Sequence, residues 1–234
     1  MTRRFFVTGT NTEVGKTVVS RALVRAYAAR GYRVRALKPV ESGAKREEGV
    51  LIPQDARALH AAAGGRDALD EISAYCFASP VSPHLAAARE QKKIEREPIL
   101  AMMEEERHGD VDLVVLEGAG GLLVPLSPQL LLADVLAESG VPILIVAPDV
   151  LGTINAVLLT LEVASRRNIQ VLGVILNRCR GVDLDNAGAI RHHGKVPILG
   201  CFEELPGESL DDDDALARHA EKVVDLDRLI LAGD

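Results

Sequence analysis

The first candidate site in the sequence is a turn near the start of the chain, where a short apolar run meets a loop rich in glycine and threonine. The run is Phe5–Val7, and the loop extends from Gly9 to Gly15. Lys16 and Thr17 follow it, at the start of a helical pattern. Backbone N–H groups at a helix N-terminus can face phosphates, while a lysine supplies a mobile positive charge and a threonine hydroxyl can hold Mg²⁺. The segment therefore predicts a binding site for ATP or GTP.

The loop departs from the common phosphate-binding pattern at one point. That pattern has about four residues between its first glycine and the Gly-Lys pair. Here five residues separate Gly9 from Gly15, and Thr10 stands where the first glycine usually lies. The context of strand, loop and helix still holds. The alternative is an ordinary strand-to-helix turn that happens to contain Gly-Lys-Thr.

Two further charged residues end apolar runs and are candidates for the same chemistry. Glu117 follows Leu113–Leu116, which is typical of a buried strand that ends in a magnesium-binding acid. Lys38 ends another such run, and a lysine is almost never buried without a partner. A second cation opposite Lys16 would stabilise the charge that develops during phosphoryl transfer. A lysine that snorkels at the edge of the sheet is the alternative.

Other residues in these regions offer hydroxyls, carboxylates or space. Ser42 and Thr12 could bond to substrate or phosphate, and Asp55 is either a metal ligand or the acid of a helix N-terminus. The run Gly118–Gly121 has little bulk, so a ligand can approach closely. Asn177 can donate and accept hydrogen bonds, which matches the edge of adenine.

A second helix start offers a site of another kind. Gly152–Asn155 begins a helical pattern, and free N–H groups at such a position suit a carboxylate. A plain N-cap at Thr153 would give the same sequence.

Short β-like runs alternate with longer amphipathic ones along the chain, and the β-like runs are mostly unbroken stretches of Val, Ile and Leu. The predicted strands are Arg4–Thr8, Arg33–Lys38, Leu113–Glu117, Pro142–Ala147, Val171–Leu176 and Pro197–Gly200. The predicted helices are Gly15–Arg30, Asp55–Ala63, Pro98–His108, Leu130–Glu138, Thr153–Arg167, Asp183–His193, Ala215–Val223 and Asp225–Leu231. This order predicts an α/β fold with a doubly wound, mostly parallel sheet, helices on both faces and ligands at the carboxyl ends of the strands, as in P-loop proteins.

Length and composition exclude several classes of protein. The 234 residues suffice for one domain, predicted to span 1–234, and the net charge of −7 leaves no basic surface for nucleic acid. No apolar run approaches the ~18 residues that cross a bilayer, and a strand that starts at Arg3 leaves no room for a signal peptide. Three widely spaced cysteines favour a reducing cytoplasm. The acids Asp211–Asp214 are predicted to form a solvated helix start rather than a metal site.

An ordered set of motifs between Phe6 and Pro206 resembles the dethiobiotin synthetase family. The set occurs in the order and at the approximate spacing of that family, which makes it highly specific. Its members are Gly9–Thr17, Lys38–Val40 with Ser42–Gly43, Asp55, Ser82–His84, Glu117–Gly121, Leu151–Asn155 and Asn177.

The resemblance implies a role for each matching residue, with ATP and Mg²⁺ as cofactors. The implied catalytic residues are Lys16, Lys38, Thr12 and Glu13. The implied nucleotide-binding residues are Thr12, Glu13, Val14, Gly15, Lys16, Thr17, Val18, Asn177 and Pro206. The implied ligands of Mg²⁺ are Thr17, Asp55 and Glu117. The implied substrate-binding residues are Lys38, Ser42, Glu117, Gly118, Ala119, Gly120, Gly152, Thr153, Ile154 and Asn155.

The implied reaction makes a cyclic urea from 7,8-diaminononanoate and CO₂. A carbamate forms on one amine, the γ-phosphate of ATP converts it to a carbamic–phosphoric anhydride, and the second amine closes the ring. The resemblance also implies a homodimer in which the helix start at Gly152 binds the carboxylate tail across the interface. Asn11, Val150 and the absence of tyrosine from Asp183–Gly194 differ from patterns seen in some members.

Two other classes of ATP-dependent protein compete with this interpretation. The cobyrinic and cobyric acid amidotransferases carry a glutaminase domain, for which the chain has no room. The P-loop switch ATPases of plasmid partitioning and division-site placement have a second lysine early in the loop, where this chain has Thr10 and Asn11. The synthetase is therefore the prediction, and the switch ATPase is the alternative to it.

Overall fold

A computed structural model of the chain describes residues 2–65, 67–68, 70–104, 110–179 and 184–231. The strands are β1 (Arg3–Gly9), β2 (Val34–Leu37), β3 (Val40–Ser42), β4 (Lys45–Glu47), β5 (Val50–Ile52), β6 (Tyr75–Phe77), β7 (Leu113–Gly121), β8 (Pro125–Ser127), β9 (Leu130–Leu131), β10 (Ile143–Pro148), β11 (Val171–Cys179) and β12 (Ile198–Glu203). The helices are α1 (Lys16–Ala29), α2 (Gln54–Ala62), α3 (Pro83–Arg89), α4 (Arg96–Met103), α5 (Leu132–Ser139), α6 (Thr153–Arg166), α7 (Asn186–Gly194), α8 (Gly207–Leu210), α9 (Asp213–Val223) and α10 (Leu226–Leu231). Among the described helices, none combines the length and hydrophobicity that a membrane crossing needs.

The main sheet has six parallel strands in the order β12-β11-β10-β1-β7-β2. Strand β1 lies between β10 and β7, with Phe6 opposite Ile143 on one side and Arg3 opposite Leu113 on the other. From β1 the chain runs to the edge strand β2, returns to β7 beside β1, and then crosses to β10, β11 and β12 on the other side. The strand order therefore changes direction at β1. Ligands bind at such a point, beyond the carboxyl ends of the strands.

The core has two layers because successive side chains of a strand point to opposite faces of the sheet. Phe5 packs with residues of α1 and α9, and Phe6 packs with residues of α5 and α6. Both phenylalanines are buried. The unbroken apolar runs of the sequence are therefore strands covered by helices on both faces, which confirms the predicted fold class.

The six strands of the main sheet are the six that the sequence predicts, with ends shifted by a few residues. The glycine run Gly118–Gly121, which lies beyond the predicted end of its strand at Glu117, forms the end of β7, where the register with β1 shifts so that Gly9 lies opposite Gly121. Glycine suits this bulged end, because a Cβ on Gly121 would lie 3.1 Å from the carbonyl oxygen of Gly9.

The predicted helices are present with ends shifted by one to a few residues, and three of them need comment. Helix α5 begins at Leu132, two residues after the predicted start, because Leu130–Leu131 pair with β8. Helix α4 occupies Arg96–Met103, and the end of the predicted helix Pro98–His108 falls outside the described residues. Asp183, the predicted start of α7, also lies outside them.

The acidic run forms a helix start, as predicted, and also joins the last helices to α1. The carboxylate of Asp212 accepts hydrogen bonds from the backbone N–H groups of Asp214 and Ala215, at 2.9 and 3.0 Å. Asp213 and Asp214 pair with Arg21 and Arg25 of α1, at 2.8 and 2.6 Å. Both arginines belong to α1, the helix that follows the loop Gly9–Gly15, which we call the phosphate loop. The acidic run alone does not indicate these partners.

Candidate active site

The segment between β1 and α1 folds back over its own lysine. The Nζ atom of Lys16 lies 3.2 Å from the carbonyl oxygen of Asn11 and donates a hydrogen bond to it. Gly9 permits this approach, because a Cβ there would lie 2.7 Å from that oxygen and 3.2 Å from Nζ. Glu13 and Gly15 have positive φ angles of 57° and 88°, so the loop turns through left-handed backbone before the helix begins.

A buried ion network lies beside this loop. The Nζ atom of Lys38 donates to the Oε1 atom of Glu117 at 2.7 Å and also donates to the carboxylate of Asp55. The hydroxyl of Thr17 donates to the same oxygen of Glu117 at 2.8 Å. Lys38 is only 4% exposed and Glu117 is fully buried. Lys38 is therefore not a snorkelling lysine at a sheet edge: it is held inside the protein by two carboxylates.

The two lysines have pKa values shifted in opposite directions. Burial lowers the pKa of Lys16, and the positive charge of Lys38 lowers it further, although Glu117 opposes both effects. Burial also acts to lower the pKa of Lys38, but the carboxylates of Glu117 and Asp55 outweigh it, so that pKa lies above its ordinary value. Lys38 is thus a fixed positive charge, because both of its partners stabilise the ammonium.

The three residues predicted to bind Mg²⁺, which are Thr17, Asp55 and Glu117, lie together in this ion network. Thr17 and Glu117 share a hydrogen bond, and Asp55 is linked to Glu117 through the ammonium. The second carboxylate oxygen of Glu117, Oε2, is buried and has no hydrogen-bond partner among the residues that the structure describes. A buried carboxylate oxygen needs a compensating charge or donor, and Mg²⁺ takes one or two carboxylates together with several waters. These residues therefore fit a magnesium ion.

A polar cavity of about 530 Å³ opens over this network. The predicted residues that line it are Thr12, Glu13, Gly15, Lys16, Thr17, Val18, Lys38, Ser42, Asp55, Gly118, Ala119 and Gly120. Glu117 does not line the cavity, because its side chain is fully buried against Lys38 and Thr17. The predicted part of the lining thus combines two lysines with glycine backbone, an arrangement suited to a polyanion beside a second reactant.

A second cavity of about 430 Å³ shares Thr12 and Gly120 in its lining with the first. Leu123, Leu159 and Asn155 are among the residues that line it. The other residues predicted at the start of α6 do not line either of these cavities. They are Gly152, Thr153 and Ile154, and Thr153 is buried.

A third cavity of about 270 Å³ lies on the other side of the phosphate loop, lined by Gly15, Val18, Asn177 and Leu205. The side-chain N–H of Asn177 donates to the carbonyl oxygen of Val14 at 2.9 Å, which fixes the amide against the loop. Pro206 is exposed, next to Leu205. The positions of Asn177 and Pro206 suit the predicted binding of a base, which stays a prediction.

Sequence reasoning missed two charged residues of the polar cavity. Arg178 lines both this cavity and the third one, and its φ is 59°. Its position directly after Asn177, at the end of a predicted strand, was the signal that could have identified it. Glu41 lines the polar cavity although it is only 5% exposed. The sequence gives no comparable signal for Glu41, because its hydrogen bonds are to the backbone of α2, a helix that begins only at Gln54.

The parallel sheet, the phosphate loop and the buried carboxylate of Glu117 in β7 define a P-loop nucleotide-binding protein. Solved structures share this fold. The septum site-determining protein MinD of Pyrococcus horikoshii, complexed with Mg-ADP, matches with a TM-score of 0.60 over 100% of this chain and 95% of its own, at 15% identity. A ParA family ATPase of Chlorobium tepidum matches with a TM-score of 0.58 over 100% and 99%, at 13% identity. These likenesses concern the fold alone.

Sequence comparisons identify the family. A family model described as an AAA domain matches residues 3–209. The ATP-dependent dethiobiotin synthetase BioD of Aromatoleum aromaticum is 37% identical over 88% of this chain and 92% of its own. Those of Thermodesulfovibrio yellowstonii and Anaeromyxobacter dehalogenans are 33% identical over 97% and 98%, and 43% identical over 75% and 77%. The chain belongs to the family of ATP-dependent dethiobiotin synthetases, which confirms the predicted resemblance.

Gly15→Ala tests the contact between the phosphate loop and Asn177. A Cβ on Gly15 would lie 2.0 Å from the amide nitrogen of Asn177, at a φ of +88°. We expect the variant to bind ADP at least about tenfold more weakly in calorimetry, because the added Cβ forces the phosphate loop and Asn177 apart and so displaces groups that would face the nucleotide.

Gly31→Ala is the matched control, since Gly31 has a φ of +89° and no atom within 4 Å of its added Cβ. It carries the same backbone cost without the clash and should leave ADP binding unchanged. Equal affinities for ADP in the two variants would contradict the structural role assigned to the contact.

Proposed function

We propose that the protein is a dethiobiotin synthetase that uses ATP, Mg²⁺ and CO₂ to convert 7,8-diaminononanoate into a cyclic urea, releasing ADP and phosphate. One observation supports this most strongly: a polar cavity with two buried lysines and a largely apolar cavity share Thr12 and Gly120 in their linings. The proposed substrate has the same division, with two amines at one end of an aliphatic chain.

Each reacting group has a counterpart in the polar cavity. Lys16 and the loop N–H groups would hold the β- and γ-phosphates, and Thr17, Asp55 and Glu117 would hold Mg²⁺, which neutralises phosphate charge when bound. Lys38 would stabilise negative charge on the carbamate and on the phosphoryl group during transfer. Asn177 and Pro206 would contact the base, beside Val14 and Val18 of the loop.

The diamine would lie against the glycine end of β7. Glu13 and Ser42 line the polar cavity and offer a carboxylate and a hydroxyl to the amines, while Gly118–Gly120 let the substrate approach the backbone. A carbamate oxygen attacks the γ-phosphate and displaces ADP, and the second amine attacks the carbonyl and displaces phosphate. No protein nucleophile is needed, so alignment and charge stabilisation account for the catalysis.

The active form is proposed to be a homodimer. Three apolar side chains face solvent: Leu123 and Leu159, which line the second cavity, are 48% and 59% exposed, and Leu151, which precedes α6, is 94% exposed. Helix α6 begins after Gly152, whose φ is 95° and which provides no side-chain cap; the N–H of Thr153 donates to the carbonyl oxygen of Val150 at 3.1 Å, so a carboxylate would be bound by the N–H groups that follow it. A partner protomer would cover the apolar surface and bring Gly152–Asn155 to the tail of the substrate.

Leu151→Asp tests this interface, because it places a charge at the most exposed of these side chains. We expect the wild type to sediment as a dimer at micromolar concentration and the variant as a monomer. A wild type that sediments as a monomer would contradict the dimer.

The switch ATPases share the fold, but the comparisons do not favour them as the function. The MinD and ParA structures compared above are 15% and 13% identical to this chain, whereas the synthetases are 33–43% identical. Thr10 and Asn11 also occupy the part of the loop where those ATPases have their additional lysine.

Product formation is the direct test of the proposed reaction. Purified protein with Mg²⁺, ATP and bicarbonate should release ADP only when 7,8-diaminononanoate is present, and mass spectrometry should detect the cyclic urea. Lys16→Ala and Lys38→Ala should each lower its rate by about 10²–10³-fold or more, because each removes a cation from the site of developing charge.

Lys93→Ala is the control, since the Lys93 side chain is 74% exposed on the surface and should not affect turnover. ATP hydrolysis that is indifferent to the diamine, without any cyclic urea, would overturn the proposal in favour of a switch ATPase.

A further inference from the structure

Glu41 is a buried carboxylate that lines the polar cavity, and its hydrogen bonds are to the start of helix α2. It lies in the short strand β3, beside Ser42, and is 5% exposed. Its Oε1 atom accepts a hydrogen bond from the backbone N–H of Asp55 at 3.0 Å, and its Oε2 atom accepts one from Ala56 at 2.9 Å. Both oxygens are therefore directed at the first turn of α2.

Helix α2 depends on these two bonds because it has no cap of its own. The first N–H groups of a helix lack partners within the helix and are usually satisfied by a serine, threonine, aspartate or asparagine at the N-cap. Here the N-cap is Pro53, which offers no side-chain hydrogen bond. Glu41 supplies the acceptors from a separate strand, and its negative charge also suits the positive end of the helix.

The cap fixes the residue that faces Lys38. Asp55 is the second residue of α2, and its carboxylate pairs with the ammonium of Lys38. Lys38 and Glu41 lie three positions apart on the segment that follows β2, so this segment holds Asp55 at two points, one through the side chain and one through the backbone. A shift of the start of α2 would break both the ion pair of Asp55 with Lys38 and the backbone hydrogen bond of Asp55 to Glu41.

We propose that Glu41 is a positioning residue that holds Asp55 in place for the divalent cation of the reaction. This inference rests on the proposed function, because the cation is the one that Asp55, Thr17 and Glu117 would share. Glu41 acts through the backbone of α2, since each of its oxygens already accepts a hydrogen bond from that helix.

Cation binding without turnover is the primary test, with Mn²⁺ as the probe. Electron paramagnetic resonance measures the binding of Mn²⁺ to the protein in the presence of saturating ADP. We expect Glu41→Gln and Glu41→Ala to weaken it by about tenfold, as for other residues that orient metal ligands. The Mg²⁺ concentration for half-maximal formation of the cyclic urea should rise by a similar factor.

Asp212→Asn is the matched control. Asp212 also uses a carboxylate to accept two backbone N–H bonds at the start of a helix, but that helix is α9. The variant should lower the melting temperature as Glu41→Gln does, and it should leave Mn²⁺ binding unchanged. An equal change in Mn²⁺ affinity in both variants would overturn the proposal.

A second variant distinguishes capping from a direct effect of charge in the cavity. Glu41→Ala combined with Pro53→Asp moves the capping carboxylate to the N-cap position of α2 itself. We expect this double variant to recover Mn²⁺ affinity to within about threefold of the wild type, since a local N-cap satisfies the same N–H groups. No recovery, with a melting temperature restored, would show that Glu41 acts by its charge and would overturn the positioning role.

The outcomes separate this inference from the proposed reaction. A wild type that makes no cyclic urea contradicts the reaction, while the Mn²⁺ measurements still decide whether Glu41 positions Asp55. A wild type that makes the urea, with Glu41 variants unchanged in both Mn²⁺ and Mg²⁺ dependence, contradicts the positioning role alone.

Discussion

The buried ammonium of Lys38 is the interaction on which the rest of the site depends. A charge inside a protein is tolerated only with close partners, and Lys38 has two, Glu117 and Asp55. These three residues come from the end of β2, from β7 and from α2, so the pairing is satisfied only when the three elements are assembled. Because Glu117 also accepts the hydroxyl of Thr17, the same network extends to the start of α1 and the phosphate loop.

The parallel sheet explains why these groups meet. Strands β1 and β7 are neighbours, and their carboxyl ends deliver the phosphate loop and the glycine end of β7 to one edge. Thr12 and Gly120, from the loop and from the glycine end of β7, line both the polar cavity and the largely apolar one. The proposed substrate needs both, since its amines must reach the lysines while its chain remains in apolar surroundings.

The sequence predicted the parts of the fold that depend on long periodic patterns. All six strands of the main sheet are buried apolar runs, and Lys38 and Glu117 were found because each lies at the end of one. The short strands β3 to β6 were missed, since three residues are too few for a period to show. Glu41 was missed for another reason: it bonds to the backbone of a helix 14 residues away, and no local pattern records a partner brought close by folding. The roles of the residues assigned to the adenine base and to the carboxylate tail of the substrate stay predictions.

A double-mutant cycle at Lys38 and Glu117 tests most directly whether the buried network organises the site. Urea unfolding would be measured for the wild type, Lys38→Met, Glu117→Gln and the double variant. Each single change leaves a buried polar group without its partner, so the account predicts a coupling free energy of about 1–3 kcal/mol, with the double variant more stable than the sum of the single effects implies. Effects that add to within about 0.5 kcal/mol would show that the two residues do not depend on each other and would contradict the account.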